Sequence, residues 1–154
     1  NPGGNTNQDP TLVEFSDQEY RWHCESRTAS IPFSSTGMGF FSKLQNAGVP
    51  FTGEKEPDEE WMKAMETKAG FLPESLKKAY WNLTNLCTYE KLLKLQKETG
   101  YSLQALSLAY FFNHPFQIVP VTGVRNHMQL EEAVGACELD LAPELFEGWI
   151  KKIG

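Results

Sequence analysis

Apolar and polar residues alternate in "TLVEF" at residues 11–15, a period of two that predicts a short strand. "SDQEYRWHCESR" follows, with Ser16 placed to cap a helix and Glu19 three residues on to answer it, so a helix is expected from about Asp17. "ASIPF" at 29–33 predicts a second, buried strand, which runs into "SSTGMGFFSK", a loop of small residues with two glycines. "NAGVPFTGEKEP" carries enough Gly, Pro and charge to predict an exposed excursion over residues 45–60. Helices are expected near "DEEWMKAMETKAG" and over "PESLKKAYW".

The second half repeats the logic with stronger signals. "TYEKLLKLQKETG" places Tyr89, Leu92 and Leu93 on one helix face, and Gly100 stands where a C-terminal cap belongs. "SLQALSLAYFFNHP" is apolar nearly all round and stops at Pro115, which predicts a buried helix packed on a sheet. "FQIVPV" reads as a strand. In "NHMQLEEAVGACE" the apolar residues Leu130, Ala133, Val134 and Cys137 step by i, i+3, i+4, i+7, which leaves Gln129 and Glu132 on a more exposed side. A last short helix, "PELFEGWIKKI", starts with Pro143 in its first turn.

Strand, helix, strand, an insertion of helices, strand, helix is the order of parallel βα units. The expected fold class is therefore α/β, parallel strands alternating with helices, as a single domain over 1–154 with its functional loops at the C-terminal ends of the strands. "VPVTGVRNHMQLEEAVGA", residues 119–136, passes from a strand through one glycine into a helix, an arrangement whose backbone N–H groups suit an anion. The opening loop, "NPGGNTNQDP" at 1–10, has no Met and is rich in turn formers, and it reads as a chain entered partway through.

Composition narrows the partners. With 154 residues and 40% hydrophobic content the chain has enough apolar side chains for one core. Fourteen basic against 20 acidic residues give a net charge of −6 with no basic stripe, so nucleic acid is excluded as a partner. Cys24, Cys87 and Cys137 are far apart and form no CxxC pair, and His23, His114 and His127 are scattered, so no metal is implied. No apolar run approaches the roughly 20 residues of a membrane helix and no signal pattern opens the chain, so a soluble, cytoplasmic protein is expected. The "NLT" at Asn82 would matter as a glycosylation acceptor only outside that compartment.

"ASIPFSSTGMGFFSK" resembles the "aysPLgxGxLtgK"-like stretch after the seventh strand of aldo-keto reductases. "TYEKLLKLQKETGYSLQALSLAYFFNHPFQIVPVTGVRNHMQLEEAVGA" resembles that family's final helix, strand and helix. The resemblance covers most of the chain and is weakest over about residues 45–80. It implies a (β/α)8 TIM barrel of about 250 residues or more that binds a nicotinamide dinucleotide at the C-terminal ends of its strands. This chain would supply the C-terminal half of that barrel. The family's catalytic Tyr, Lys, Asp and His belong to the first half; no segment here matches their motifs, and none of those roles is assigned. Tyr20, Tyr80, Tyr89, Tyr101 and Tyr110 read as core or helix-face aromatics.

The cofactor side carries over by position. Small and hydroxyl residues after the family's seventh strand meet the pyrophosphate, which implies Ser34, Thr36 and Gly39 here, with Gly37 allowing close backbone approach. The family's last cofactor loop, "IPGxxxxxxLEEN", aligns through Gly123, Gln129, Glu132 and Ala133. Arg125 matches the Arg of the "PGTR" version, where a guanidinium could take the 2′-phosphate of adenosine and so favour NADP over NAD; the alternative is a solvent-facing Arg near a helix start, where the dipole gives it no help. Two departures stand out: the Asn that grips adenine is Ala133, and the Lys-Ser pair plus Arg of one subgroup appear as Gly123, Val124 and Gln129. Adenine recognition would then rest on Glu132 and on packing.

Two functions follow as expectations. The first is an NAD(P)-dependent oxidoreductase acting on a small carbonyl substrate or alcohol, with this chain as the cofactor-binding half and the rest supplied by a missing N-terminal half or a partner chain. The alternative is a non-catalytic half-barrel that binds a nucleotide or a protein, since an open half-barrel exposes sheet edges and apolar inner faces. Trp61, Trp81 and Trp149 are available for such a contact.

Overall fold

The structure, a computed structural model, describes residues 15–53, 56–139 and 141–146. Seven α-helices span these residues: α1 (Asp17–Ser26), α2 (Phe40–Asn46), α3 (Glu59–Met65), α4 (Glu74–Tyr80), α5 (Leu83–Thr99), α6 (Leu103–Phe112) and α7 (His127–Gly135). Five of them begin in one way. A side-chain oxygen of the residue before the helix accepts a first-turn backbone N–H: Ser16 from Gln18, Asp58 from Trp61, Asn82 from Asn85, Ser102 from Ala105 and Asn126 from Gln129, all at 2.8–3.2 Å. At α1 the carboxylate of Glu19 returns to the Ser16 backbone and completes the capping box that the sequence predicts. Gly100 ends α5 with a left-handed φ of 78° and its N–H on Gln96 C=O, as expected.

The main core joins Phe40 and Leu44 of α2, Leu76 of α4, the inner face of α5 and Leu103, Leu106 and Ala109 of α6, closed by Leu141 and Phe146. Trp61 and Trp81 lie against it, half-buried, while Trp149 is outside the described residues. Tyr89, Leu92 and Leu93 are buried together as their spacing predicts. Tyr89 is fully buried and its hydroxyl donates to Val49 C=O at 2.9 Å. Next to it, buried Glu90 accepts the Thr52 N–H at 2.6 Å. These two bonds hold the stretch after α2 against α5, so residues 45–60 are not exposed throughout: Val49 and Pro57 are buried. Gly, Pro and charge report that a segment is irregular, and they do not report what it rests on.

The alternation of strands and helices is where expectation and structure part. Among the described residues no strand is formed as a named element; what remains is one isolated parallel bridge, Ser30 to Ile118. "TLVEF" lies outside the described residues except for Phe15. Around the bridge the hydrogen bonds follow a parallel ladder. Ser30 N–H donates to Gln117 C=O, Val119 N–H to Ser30 C=O and Val121 N–H to Pro32 C=O, each at 2.9 Å. The missing rung is the one Pro32 would donate to Val119 C=O, and proline has no N–H to give. Pro120 breaks nothing, because in this register residues 119 and 121 donate.

Helix α7 is turned relative to the expected face. Ala133 and Ala136 are buried against Ala105 and Leu108 of α6, with Gln129 and Glu132 half-buried, while Leu130, Val134 and Cys137 are exposed. Small side chains win the inner face because they let two helix backbones approach closely, which the periodicity of Leu and Val does not register. "PELFEGWIKKI" is described only at Pro143–Phe146, a short 3-10 turn; its remainder lies outside the described residues.

Tyr89→Phe should lower stability by about 1–2 kcal/mol in urea unfolding, since Val49 C=O loses its buried donor. Burial holds the Glu90 carboxyl above the ordinary carboxylate value of 4.5, against the opposing pull of the Thr52 N–H and Lys97. The folded chain thus binds that proton more tightly than the unfolded one, so Glu90's contribution is full below 4.5 and is lost as pH rises through the raised folded value. Glu90→Gln should flatten stability over that window; an unchanged pH profile would contradict the assignment.

Candidate functional site

The pairing of residues 30–32 with 117–121 continues into two loops. Ser35 N–H reaches Val121 C=O at 3.5 Å, and Ser35 Oγ donates to Pro32 C=O at 2.9 Å, so residues 34–39 leave one segment beside the point where residues 122–126 leave the other. The two stretches singled out in the sequence are therefore neighbours, although most of the chain separates them.

The first loop is wound left-handed. Ser34, Gly37, Met38 and Gly39 have φ of 52°, 55°, 54° and 73°. Gly37 N–H donates to Ser34 C=O at 2.8 Å and Gly39 N–H to Thr36 C=O at 2.9 Å, which closes the loop into two successive turns. Ser34 is exposed and Thr36 half-buried. Lys43 Nζ donates to Met38 C=O at 2.9 Å and brings one positive charge to the loop. Left-handed backbone at Ser34 and Met38 costs about 1 kcal/mol or more each, strain of the sort that collects at ligand loops.

In the second loop Gly123, Val124 and Arg125 are exposed. A Cβ added at Gly123 would meet nothing within 4 Å, and its φ is not left-handed, so nothing within the described chain requires glycine there. Arg125 N–H donates to Gln129 Oε1 at 2.9 Å while Gln129 N–H donates to Asn126 Oδ1 at 2.9 Å, which closes the entry to α7 as a reciprocal cap. Gln129 thereby has its side-chain oxygen engaged, Glu132 is half-buried beside it, and Ala133 faces α6. Asn126 was not singled out by the sequence reading, although Asn three residues before Gln is the signal for such a cap.

Thr122 was also passed over. Its Oγ1 is buried and finds no hydrogen-bond partner among the described residues, an orphaned hydroxyl at the base of both loops. Its sequence signal is slight, a Thr where the resembled motif has Pro. A cavity of about 300 Å³ lined by Thr52, Glu56, Asp58 and Trp61 shares no residue with the loops. No group of three or more His, Cys, Asp or Glu among the described residues is arranged to hold a metal ion.

One further feature adjoins the loops. Along the paired segments Ile31, Phe33, Val119 and Val121 are 67%, 56%, 46% and 51% exposed, while Ser30 and Ile118 are buried. Alternate residues of a strand share a face, so these four form one apolar face open to solvent.

Gly37→Ala should destabilise by about 1 kcal/mol, because the left-handed φ penalises any Cβ while Tyr80 Cε1, 3.4 Å from that position, is at ordinary contact distance. Met38→Gly should stabilise by a similar amount, and thermal unfolding of the pair separates the two signs.

A family model described as "Aldo/keto reductase family" matches residues 16–153. No curated protein matches the chain, and no solved structure does.

Proposed function

The chain belongs to the aldo/keto reductase family, an oxidoreductase family, and on that premise we propose that it is the cofactor-binding half of an NAD(P)-dependent enzyme that reduces a carbonyl or oxidises an alcohol. What supports the reading most is the juxtaposition of the two loops through Val121, which offers hydroxyls, open glycines and one guanidinium to a single extended anion. Ser34 and Thr36 would donate to the pyrophosphate, with Gly37, Gly39 and Gly123 letting backbone approach it. Arg125, with Val124 beside it, would take a 2′-phosphate, which favours NADP. The orphaned Thr122 hydroxyl between the two loops is a polar group the described chain does not pair, which is consistent with a ligand there.

The adenine end fits less closely. Ala133 faces α6 and Gln129 is committed to its cap, so Glu132 is left as the polar contact. Losing one or two hydrogen bonds is worth about 1–3 kcal/mol, or about one to two decades of affinity.

When bound, the nicotinamide supplies or accepts the hydride of the carbonyl–alcohol interconversion. This chain's share is to fix the dinucleotide's phosphates. The proton donor and the pocket for a small carbonyl substrate come, in this reading, from an N-terminal half or a partner chain. The apolar face of Ile31, Phe33, Val119 and Val121 suits the interior of such a completed (β/α)8 barrel, with residues 29–33 and 117–121 as its last two strands. Free thiols at Cys24, Cys87 and Cys137 suit the cytoplasm.

Calorimetric titration of the chain with NADP⁺ and NAD⁺ tests the proposal. Binding is expected at about tens of micromolar or weaker, with NADP⁺ ahead. Gly123→Ala should leave thermal stability unchanged and weaken both ligands about tenfold, whereas Arg125→Ala should remove the preference for NADP⁺. Low-micromolar binding would contradict the weak adenine end, and Gly123→Ala binding as well as the parent would contradict the loop as a phosphate site.

A further inference from the structure

Helix α1 is attached to the paired segments in an unusual way. It buries none of its side chains fully, and it rests instead on a cluster of rings. Tyr20 meets Phe116 edge-on at 5.5 Å and His114 at 5.7 Å, and His23 stacks on Phe116 at 5.1 Å. Phe15 stacks on His23 at 5.5 Å. His114 in turn stacks on Phe116 at 5.8 Å and meets Tyr110 of α6 edge-on at 4.8 Å. Phe116 is buried and immediately precedes Gln117, whose C=O accepts the Ser30 N–H. Two polar ties finish the seat: the Arg27 guanidinium donates to Pro115 C=O, and His23 Nδ1 donates to Thr28 C=O at 2.8 Å.

We propose that His114 is a proton-sensitive latch: neutral, it seats α1 on the base of the paired segments, and protonated, it releases that seat and loosens the register that holds the two loops together. Its Nδ1 is buried and has no hydrogen-bond partner among the described residues. A neutral ring can leave that nitrogen as an unused lone pair. An imidazolium cannot, because both nitrogens then carry N–H and a charge must be solvated.

None of the titratable and charged groups around His114 is a hydrogen-bond partner of its Nδ1 among the described residues. From α1 they are Tyr20, whose hydroxyl is engaged with Cys24, and His23, and from its C-cap the Arg27 cation. From α6 comes Tyr110, itself pushed up to about 12 by burial and by Tyr20. The 143–146 turn, whose Phe146 rests on Tyr110 at 6.0 Å, contributes Glu144, which is exposed. Stacking on Phe116 attracts a cation only weakly. Burial therefore holds His114 below the ordinary imidazole value of 6.5. The seat is at full strength above 6.5, and it weakens as pH falls, because the loosened chain takes up the proton first.

The effect on cofactor binding rests on the function proposed above; the latch itself does not. Amide hydrogen exchange of the whole chain, corrected for intrinsic rates, reads it without any dinucleotide. Between about pH 7.5 and about pH 5.5, protection at Ser30, Val119 and Val121 should fall by several-fold, with about tenfold as the limit for one proton. His114→Phe keeps the stack and should abolish that fall, whereas His23→Gln should keep it. Should His114→Phe not fold, the proton NMR titration of the His114 ring in the parent chain decides, since titration at or above 6.5 overturns the latch. Protection independent of pH, or a dependence removed by His23→Gln, overturns it as well. Titration with NADP⁺ at both pH values separates the two claims: pH-dependent protection without binding at either pH sustains the latch and refutes the cofactor reading, and binding with constant protection does the reverse.

Discussion

Four backbone hydrogen bonds between residues 30–35 and 117–121 set the relation of everything that bears on function. They are made by main-chain atoms, so they depend on register rather than on side-chain identity, and a register error would carry the two loops apart. Proline at position 32 removes the rung that would have made this a continuous ladder, and the three bonds at 2.9 Å keep the parallel geometry, with Ser35 to Val121 longer at 3.5 Å. With so short a ladder, its position is fixed from outside. Rings and polar ties hold it at one end, where α1 meets Phe116, and Ser35 Oγ braces the other at Pro32 C=O.

Much of the helical framework was readable from residues alone. Ser16 with Glu19, Asp58 and Ser102 stand where helices begin because their side chains satisfy first-turn N–H groups, and that chemistry is local; α5, capped by Asn82, begins at Leu83, ahead of the stretch from Thr88 that the spacing predicts. Gly100 ends α5 for an equally local reason. Two departures have a different cause, a neighbour distant in sequence. The inner face of α7 was taken by Ala133 and Ala136 because α6 presents Ala105 and Leu108 to it. Residues 45–60 looked detached because nothing in them announces that Tyr89 and Glu90 bind their backbone. "ASIPF" and "FQIVPV" read as strands by apolar content, yet a rung that must come from Pro32 is missing however apolar the flanks are.

The site shows the same division. The small-residue loop and the strand–glycine–helix stretch were both visible as anion-binding patterns, and their family resemblance agrees with the match over residues 16–153. Their adjacency was not visible, since it follows from pairing across most of the chain. Nor was the orphaned Thr122 hydroxyl, which depends on what surrounds it in the fold. The apolar face of Ile31, Phe33, Val119 and Val121 is a second unfilled feature, and it distinguishes this chain from a domain whose sheet is covered on both sides.

The central claim is that residues 34–39 and 123–125 act as one anion site because the short parallel pairing joins them. An amide-resolved NMR titration of the chain with NADP⁺ tests it most directly. The amides of Ser34, Thr36, Gly37, Gly39, Gly123 and Arg125 should move together along a single isotherm. Shifts confined to one loop, or two loops responding with different affinities, would contradict it.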